Sequence, residues 1–138
     1  MKLFIALFFV SCTCLKAQTL NWEDIRGEWI CKEAVPSGEK IPAQELKGIE
    51  ILKKAFINSR FVFKSDSIFN LQFPKGSHTI LNDLKFLNGK KWYFYPQAQM
   101  VSIGPYKENI MQIYFKKEKD TTFFFIYEMP LALRMEKL

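Results

Sequence analysis

From Ser59 to the C-terminus, apolar and polar residues alternate at nearly every second position. That is the period of a strand with one face in a core and the other in water. Phe61 and Phe63 fall on one side, with Arg60 and Lys64 on the other. Phe69, Leu71 and Phe73 share a face opposite Asn70 and Gln72. Ser65-Asp66 and Pro74-Lys75-Gly76-Ser77 interrupt the rhythm as turns. Asn88-Gly89 tolerates the positive φ of a type I′ turn, which predicts a hairpin joining Leu84 and Phe86 to Trp92 and Phe94. Val101 and Ile103 precede a Gly104-Pro105 turn. Met111, Ile113 and Phe115 then alternate with Gln112 and Lys116. Phe123, Phe125 and Tyr127 alternate with Thr122 and Glu128, and Leu131, Leu133 and Met135 with Arg134 and Glu136. The pattern predicts eight or nine short strands.

Ahead of Ser59 the rhythm differs. Leu20 to Ile25 reads as a short helical turn, with Asn21 as N-cap and Glu23 and Asp24 where a helix N-terminus favours negative charge. Gly27 ends it, and a strand over Glu28 to Ala34 follows. Val35 to Pro42 carries two prolines and a Ser-Gly pair, and so reads as a loop. Over Ala43 to Phe56, the spacing of Leu46, Ile49, Leu52 and Phe56 favours a lid-like helix, while Ile49 and Ile51 also fit a short strand. A meander of this length exposes two edges unless it closes. The sequential hairpins favour one antiparallel barrel over a sandwich, an all-β fold in which one face of each strand points inward.

Composition adds a compartment. In a chain of 138 residues, residues 1–17 read as a signal peptide: Lys2 precedes the apolar run Leu3 to Val10, which is far short of the roughly 20 residues needed to span a bilayer. The mature domain is then residues 18–138. Ala17 before Gln18 suits secretory cleavage; Phe9-Val10-Ser11-Cys12 alternatively suits lipidation of Cys12. The expected location is the periplasm or the exterior, or the membrane through that lipid anchor. Cleavage after Ala17 removes two lysines and no acid, lowering the net charge by two from +6. The remaining charges are scattered, with Lys53-Lys54, Lys90-Lys91 and Lys116-Lys117 as the longest groupings. A nucleic-acid binder would concentrate them, so nucleic acid is not an expected partner. Cys31 would stand alone in the mature chain, a small buried hydrophobe.

Gly27-Glu28-Trp29 places a G-x-W at the start of the first strand, after a helical turn, and in this it resembles the lipocalins. The loop Gly38-Glu39-Lys40-Ile41-Pro42, the Phe-rich hairpin around Ser65 and the strand Pro130-Leu131-Ala132-Leu133-Arg134 look like those of small bacterial lipocalin-like envelope proteins. The resemblance implies a lipocalin-like barrel in which Trp29 plugs the closed end. It also implies a basic side chain of the last strand lying across that Trp; Arg134 is the first candidate and Lys137 the second.

Candidate chemistry is sparse. His78, the single histidine, follows a Pro-Lys-Gly turn as a solvated loop residue would. One His and one mature Cys fall short of the N and S ligands a typical zinc site uses, and there is no glycine-rich phosphate loop. Acids such as Glu39, Glu118 and Asp120 sit beside lysines, as on a solvated surface. No cofactor, metal or catalytic residue is expected. The inward aromatics Phe61, Phe63, Phe69, Phe73, Trp92, Phe94, Phe115, Phe123 and Phe125 either line a pocket for a small hydrophobic ligand or fill the barrel solid. Tyr93 and Tyr95 would lie outside, as surface cover or a patch for a protein partner. Two functions therefore compete: binding of a hydrophobic ligand, and a non-catalytic structural or interaction role in the cell envelope.

Overall fold

In the computed structural model, which describes residues 18–38, 40–77, 79–105 and 110–138, eight antiparallel strands close into a barrel: β1 (Gly27–Pro36), β2 (Arg60–Phe63), β3 (Ile68–Gln72), β4 (Lys90–Tyr95), β5 (Met100–Ile103), β6 (Met111–Glu118), β7 (Thr121–Ile126) and β8 (Leu131–Lys137). Each strand pairs with the next in sequence, and β8 returns to β1 from Trp29↔Lys137 to Pro36↔Leu131. Closure removes the two edges that an open meander would leave unpaired. The barrel expectation is met at eight strands. The helix α1 (Trp22–Ile25) stands before β1 with the Asn21 cap in place. Residues 1–17 lie outside the described residues.

β1 runs two residues further than its alternation suggests. The register shifts between Cys31 and Glu33, and the extra residue keeps Trp29, Cys31 and Ala34 all buried while Glu33 stays outside. Such a bulge is how a strand bends around a barrel without losing its inner face.

Ala43 to Phe56 is helical, a 3-10 turn (Ala43–Glu45) leading into α2 (Leu46–Phe56). Ile49, Ala55 and Phe56 are buried. Phe56 caps the interior at the end opposite α1, its ring centroid 6.4 Å from Phe61 and 6.1 Å from Phe73. Asn58, at φ 66°, turns the chain out of the helix, and Ser59 ties it down by donating its hydroxyl to Phe56 O at 2.6 Å.

Two sequence expectations are corrected. Leu84 and Phe86 belong to a 3-10 helix, Thr79–Leu87, and Asn88-Gly89 links that helix to β4 instead of closing a hairpin. Leu81, Leu84 and Leu87 recur every third residue, the period of a 3-10 helix; Leu81 and Leu87 are buried, while Phe86 is 53% exposed. Only Gly89 takes positive φ; Asn88 instead accepts the Leu71 amide on its Oδ1 at 2.6 Å. The side chain thus replaces a strand partner that β3 lacks at this point.

The second correction is the facing of β7. Thr122, Phe124 and Ile126 are buried and Phe123 and Phe125 face out, half-buried; Tyr127 sits beyond the strand, 60% exposed. The run Thr-Thr-Phe-Phe-Phe-Ile is apolar in both phases, so alternation alone could not choose. Register decides it: Phe124 pairs with inward Phe115 on β6 and with Leu133 on β8.

Candidate functional site

At the α1 end, the G-x-W acquires a physical reason. Gly27 has φ +127°, and a Cβ there would meet Lys137 Cε at 3.0 Å. The backbone conformation demands glycine, and a Cβ would in addition push the flexible end of Lys137 aside. Past this gap, Lys137 reaches over Trp29, its Nζ 5.7 Å from the ring centroid, and donates to Glu23 O at 3.2 Å and Asp24 O at 2.8 Å. A cation at those carbonyls suits the C-terminal end of a helical turn. Trp29, buried, donates its Nε1–H to Ile25 O at 2.8 Å. Trp22 stacks on Trp92 at 5.5 Å, and Arg26 covers the Trp22 ring at 5.4 Å.

Arg134 does not lie across Trp29. Strand alternation turns it outward, where it pairs with Glu33 at 3.2 Å and Glu136 at 3.8 Å. Lys137 takes the position over the ring because Trp29↔Lys137 is itself a register pair at the strand ends.

The inward aromatics meet one another. Phe115 lies 4.7 Å from Phe124, Trp29 5.3 Å from Phe124, Phe63 5.2 Å from Phe69 and 5.4 Å from Trp92, and Phe61 5.7 Å from Phe124. These are edge-to-face and tilted contacts of the kind that stabilise packed rings. Phe73 and Phe94 are half-buried at the margin of this cluster. Clefts beside β3, α1, the β2–β3 turn and the β6–β7 pair open on the outside, and Phe61, Phe69, Trp92, Phe115 and Phe124 are not in their linings.

The outer wall carries a pattern that the sequence reading reached only at Tyr93 and Tyr95. Register pairs run Tyr95↔Met100, Met100↔Tyr114, Tyr114↔Phe125 and Phe125↔Ala132. They form one outward row across β4 to β8. Tyr95 and Tyr114 are 38% and 36% exposed. Phe123 lies two residues from Phe125 on the same outer face of β7, between Lys116 and Arg134 in register. Alternation on β7 predicts Phe123 and Phe125 on the inner face, which hides the row; the structure turns both outward.

Cys31 is buried with its Sγ 3.5 Å from Glu33 O, and burial pushes its thiol up to about 11. At neutral pH it is a thiol, without the thiolate that nucleophilic or metal chemistry requires. Among the described residues, no group of three or more His, Cys, Asp or Glu side chains is placed to hold a metal ion. His78 lies outside the described residues. Comparison of the chain with protein-family models, with curated proteins and with solved structures found no match.

Proposed function

We propose that this chain is an exported, non-catalytic, lipocalin-like barrel that acts in the cell envelope as a protein-interaction module, with the outer wall of β4 to β7 as its contact surface. The observation that carries this reading is the row Tyr95, Met100, Tyr114 and Phe125, aligned in register on the outer wall. Positions facing water on barrel strands are ordinarily polar. Aromatic residues and Met are enriched where proteins bind one another. The rings inside the barrel already contact each other, which supports an outer-wall role over a hydrophobic ligand held in the interior. The signal-like residues 1–17 support export, and lipidation of Cys12 would hold the barrel beside its partners.

The test compares the mature chain with a Tyr114→Ser/Phe125→Ser variant as baits in an envelope extract. Wild type should retain a partner protein that the variant retains at least tenfold less. Equal retention by both, or none by wild type, refutes the outer-wall role. Retinol raising the melting temperature of both proteins alike would favour a ligand within the barrel instead.

A further inference from the structure

We infer that Asn88-Gly89 is a modification site: a succinimide-forming pair that the folded barrel holds inert, and whose reaction makes an opening between β3 and the 3-10 helix Thr79–Leu87 permanent. The inference is independent of the outer wall, because neither residue belongs to β4 to β7.

The junction lies where the sheet is thinnest. β3 and β4 share only the pairs Ile68↔Lys91 and Phe69↔Lys90. Beyond them the 3-10 helix stands where a longer β4 would run, and Asn88-Gly89 fastens it to β3. Asn88 accepts the Leu71 amide on Oδ1 at 2.6 Å. The Gly89 amide donates to Phe69 O at 2.9 Å and to Asn70 Oδ1 at 3.1 Å. Both residues of the pair are nevertheless exposed, and a Cβ at Gly89 would meet nothing within 4 Å. Water and hydroxide reach the pair, so its reactivity is set by hydrogen bonds and not by burial.

An asparagine followed by glycine carries its own reaction partner. When the Gly89 nitrogen gives its proton to hydroxide, it becomes a nucleophile for Asn88 Cγ. The new N–Cγ bond closes a five-membered ring, the Cγ–Nδ2 bond breaks, and ammonia leaves. Ring closure has the high effective concentration of an intramolecular step, and glycine puts no side chain in its way. Water then opens the imide at either carbonyl, giving Asp or its β-linked isomer.

In the fold, the Gly89 proton is shared between two acceptors and withheld from base. Asn88 Cγ closes on the nitrogen only by rotating its side chain, and Oδ1 is fixed to Leu71. Both restraints go together when the 3-10 helix lifts from β3, a local opening that costs less than global unfolding. The Asp product keeps an oxygen for the Leu71 amide, so the junction re-forms. The β-linked product turns the side-chain carbonyl into the peptide carbonyl, and Leu71 and Phe69 lose their partners. The release of the helix is then one-way.

The test follows the mature chain in mildly alkaline buffer by peptide mapping, which resolves Asp from its β-linked isomer at position 88. Conversion in native buffer should be at least tenfold slower than in concentrated guanidinium chloride, with amide hydrogen exchange at Gly89 slowed alongside it. Asn70→Ala removes one acceptor of the Gly89 proton from a half-buried position on β3. It should convert at least threefold faster than wild type with unchanged circular dichroism. Equal conversion in the two solvents overturns the inference, as does an Asn70→Ala rate that matches wild type. A β-linked product whose Leu71 and Gly89 amides stay protected also overturns it. Should Asn70→Ala lose its circular dichroism, wild-type exchange at Gly89 decides alone, and exchange at the rate of a free peptide overturns the inference.

Discussion

Truncating Phe124 should cost far more stability than truncating its neighbour Phe125, although both are phenylalanines in the middle of one strand. Phe124 has no exposed surface, and its ring meets those of Trp29, Phe61, Phe63 and Phe115 at 5.3, 5.7, 6.1 and 4.7 Å. Phe124→Ala removes the transfer free energy of the ring and leaves a hole that four large side chains cannot collapse into without leaving their rotamers. Such substitutions cost about 3–5 kcal/mol. The rigidity of the aromatic surroundings places this one toward the upper figure. Phe125 is half-buried on the outer wall with solvent on one side. Phe125→Ala forfeits only cross-strand contact with Tyr114 and Ala132, worth roughly 0.2–1 kcal/mol per pair. In urea, where a domain of this size loses about 2 kcal/mol per molar, the unfolding midpoint should fall by about 2 M for Phe124→Ala and by no more than about 1 M for Phe125→Ala. Equal losses, or a larger loss at Phe125, would refute the inward facing of Phe124 and its packing against the four rings.

Two further outcomes follow from the α1 end and the core. Gly27→Ala should destabilise by about 1–3 kcal/mol, through strain at positive φ and the approach to Lys137 Cε; shortening the side chain in Lys137→Ala should relieve only the steric part. In urea melts, Lys137→Ala should also cost more than Arg134→Ala, whose ion pairs are exposed and worth under about 1 kcal/mol. At Cys31 the folded thiol is raised from 9.0 to about 11, so the native state holds a proton that the unfolded chain gives up. Its contribution is complete below pH 9 and is lost as pH rises toward 11. The stability difference between wild type and Cys31→Ala should therefore shift against wild type across that window and be flat below it. A difference that does not change between pH 8 and 11 would show the thiol to be reached by solvent.

The fold was legible because period-2 alternation is strict wherever one phase is polar. On β3, Asn70 and Gln72 leave no choice of face, and Phe69 and Leu71 are buried as read. β7 offered Phe at three successive positions, and only pairing to β6 could break the tie. The segment before β4 departs from its expected hairpin for a related reason. Asn88-Gly89 has turn-forming chemistry, but the three-residue spacing of Leu81, Leu84 and Leu87 was the stronger signal. Arg134 and Lys137 are equally basic. Which of them reaches Trp29 depends on strand register and on the missing Cβ of Gly27, neither of which can be read from one strand alone. The cleft beside β3 was illegible altogether, since it results from how few residues β3 and β4 share.

The return of β8 to β1 ties residues more than a hundred positions apart, as in Cys31↔Met135. Bringing such distant segments together must precede any reward from their contact, which makes the seam the slow step of assembly. Until β8 docks, β1 and β7 each keep an open ladder edge, so the cylinder has no partially sealed form and its closure rests on a single late pairing.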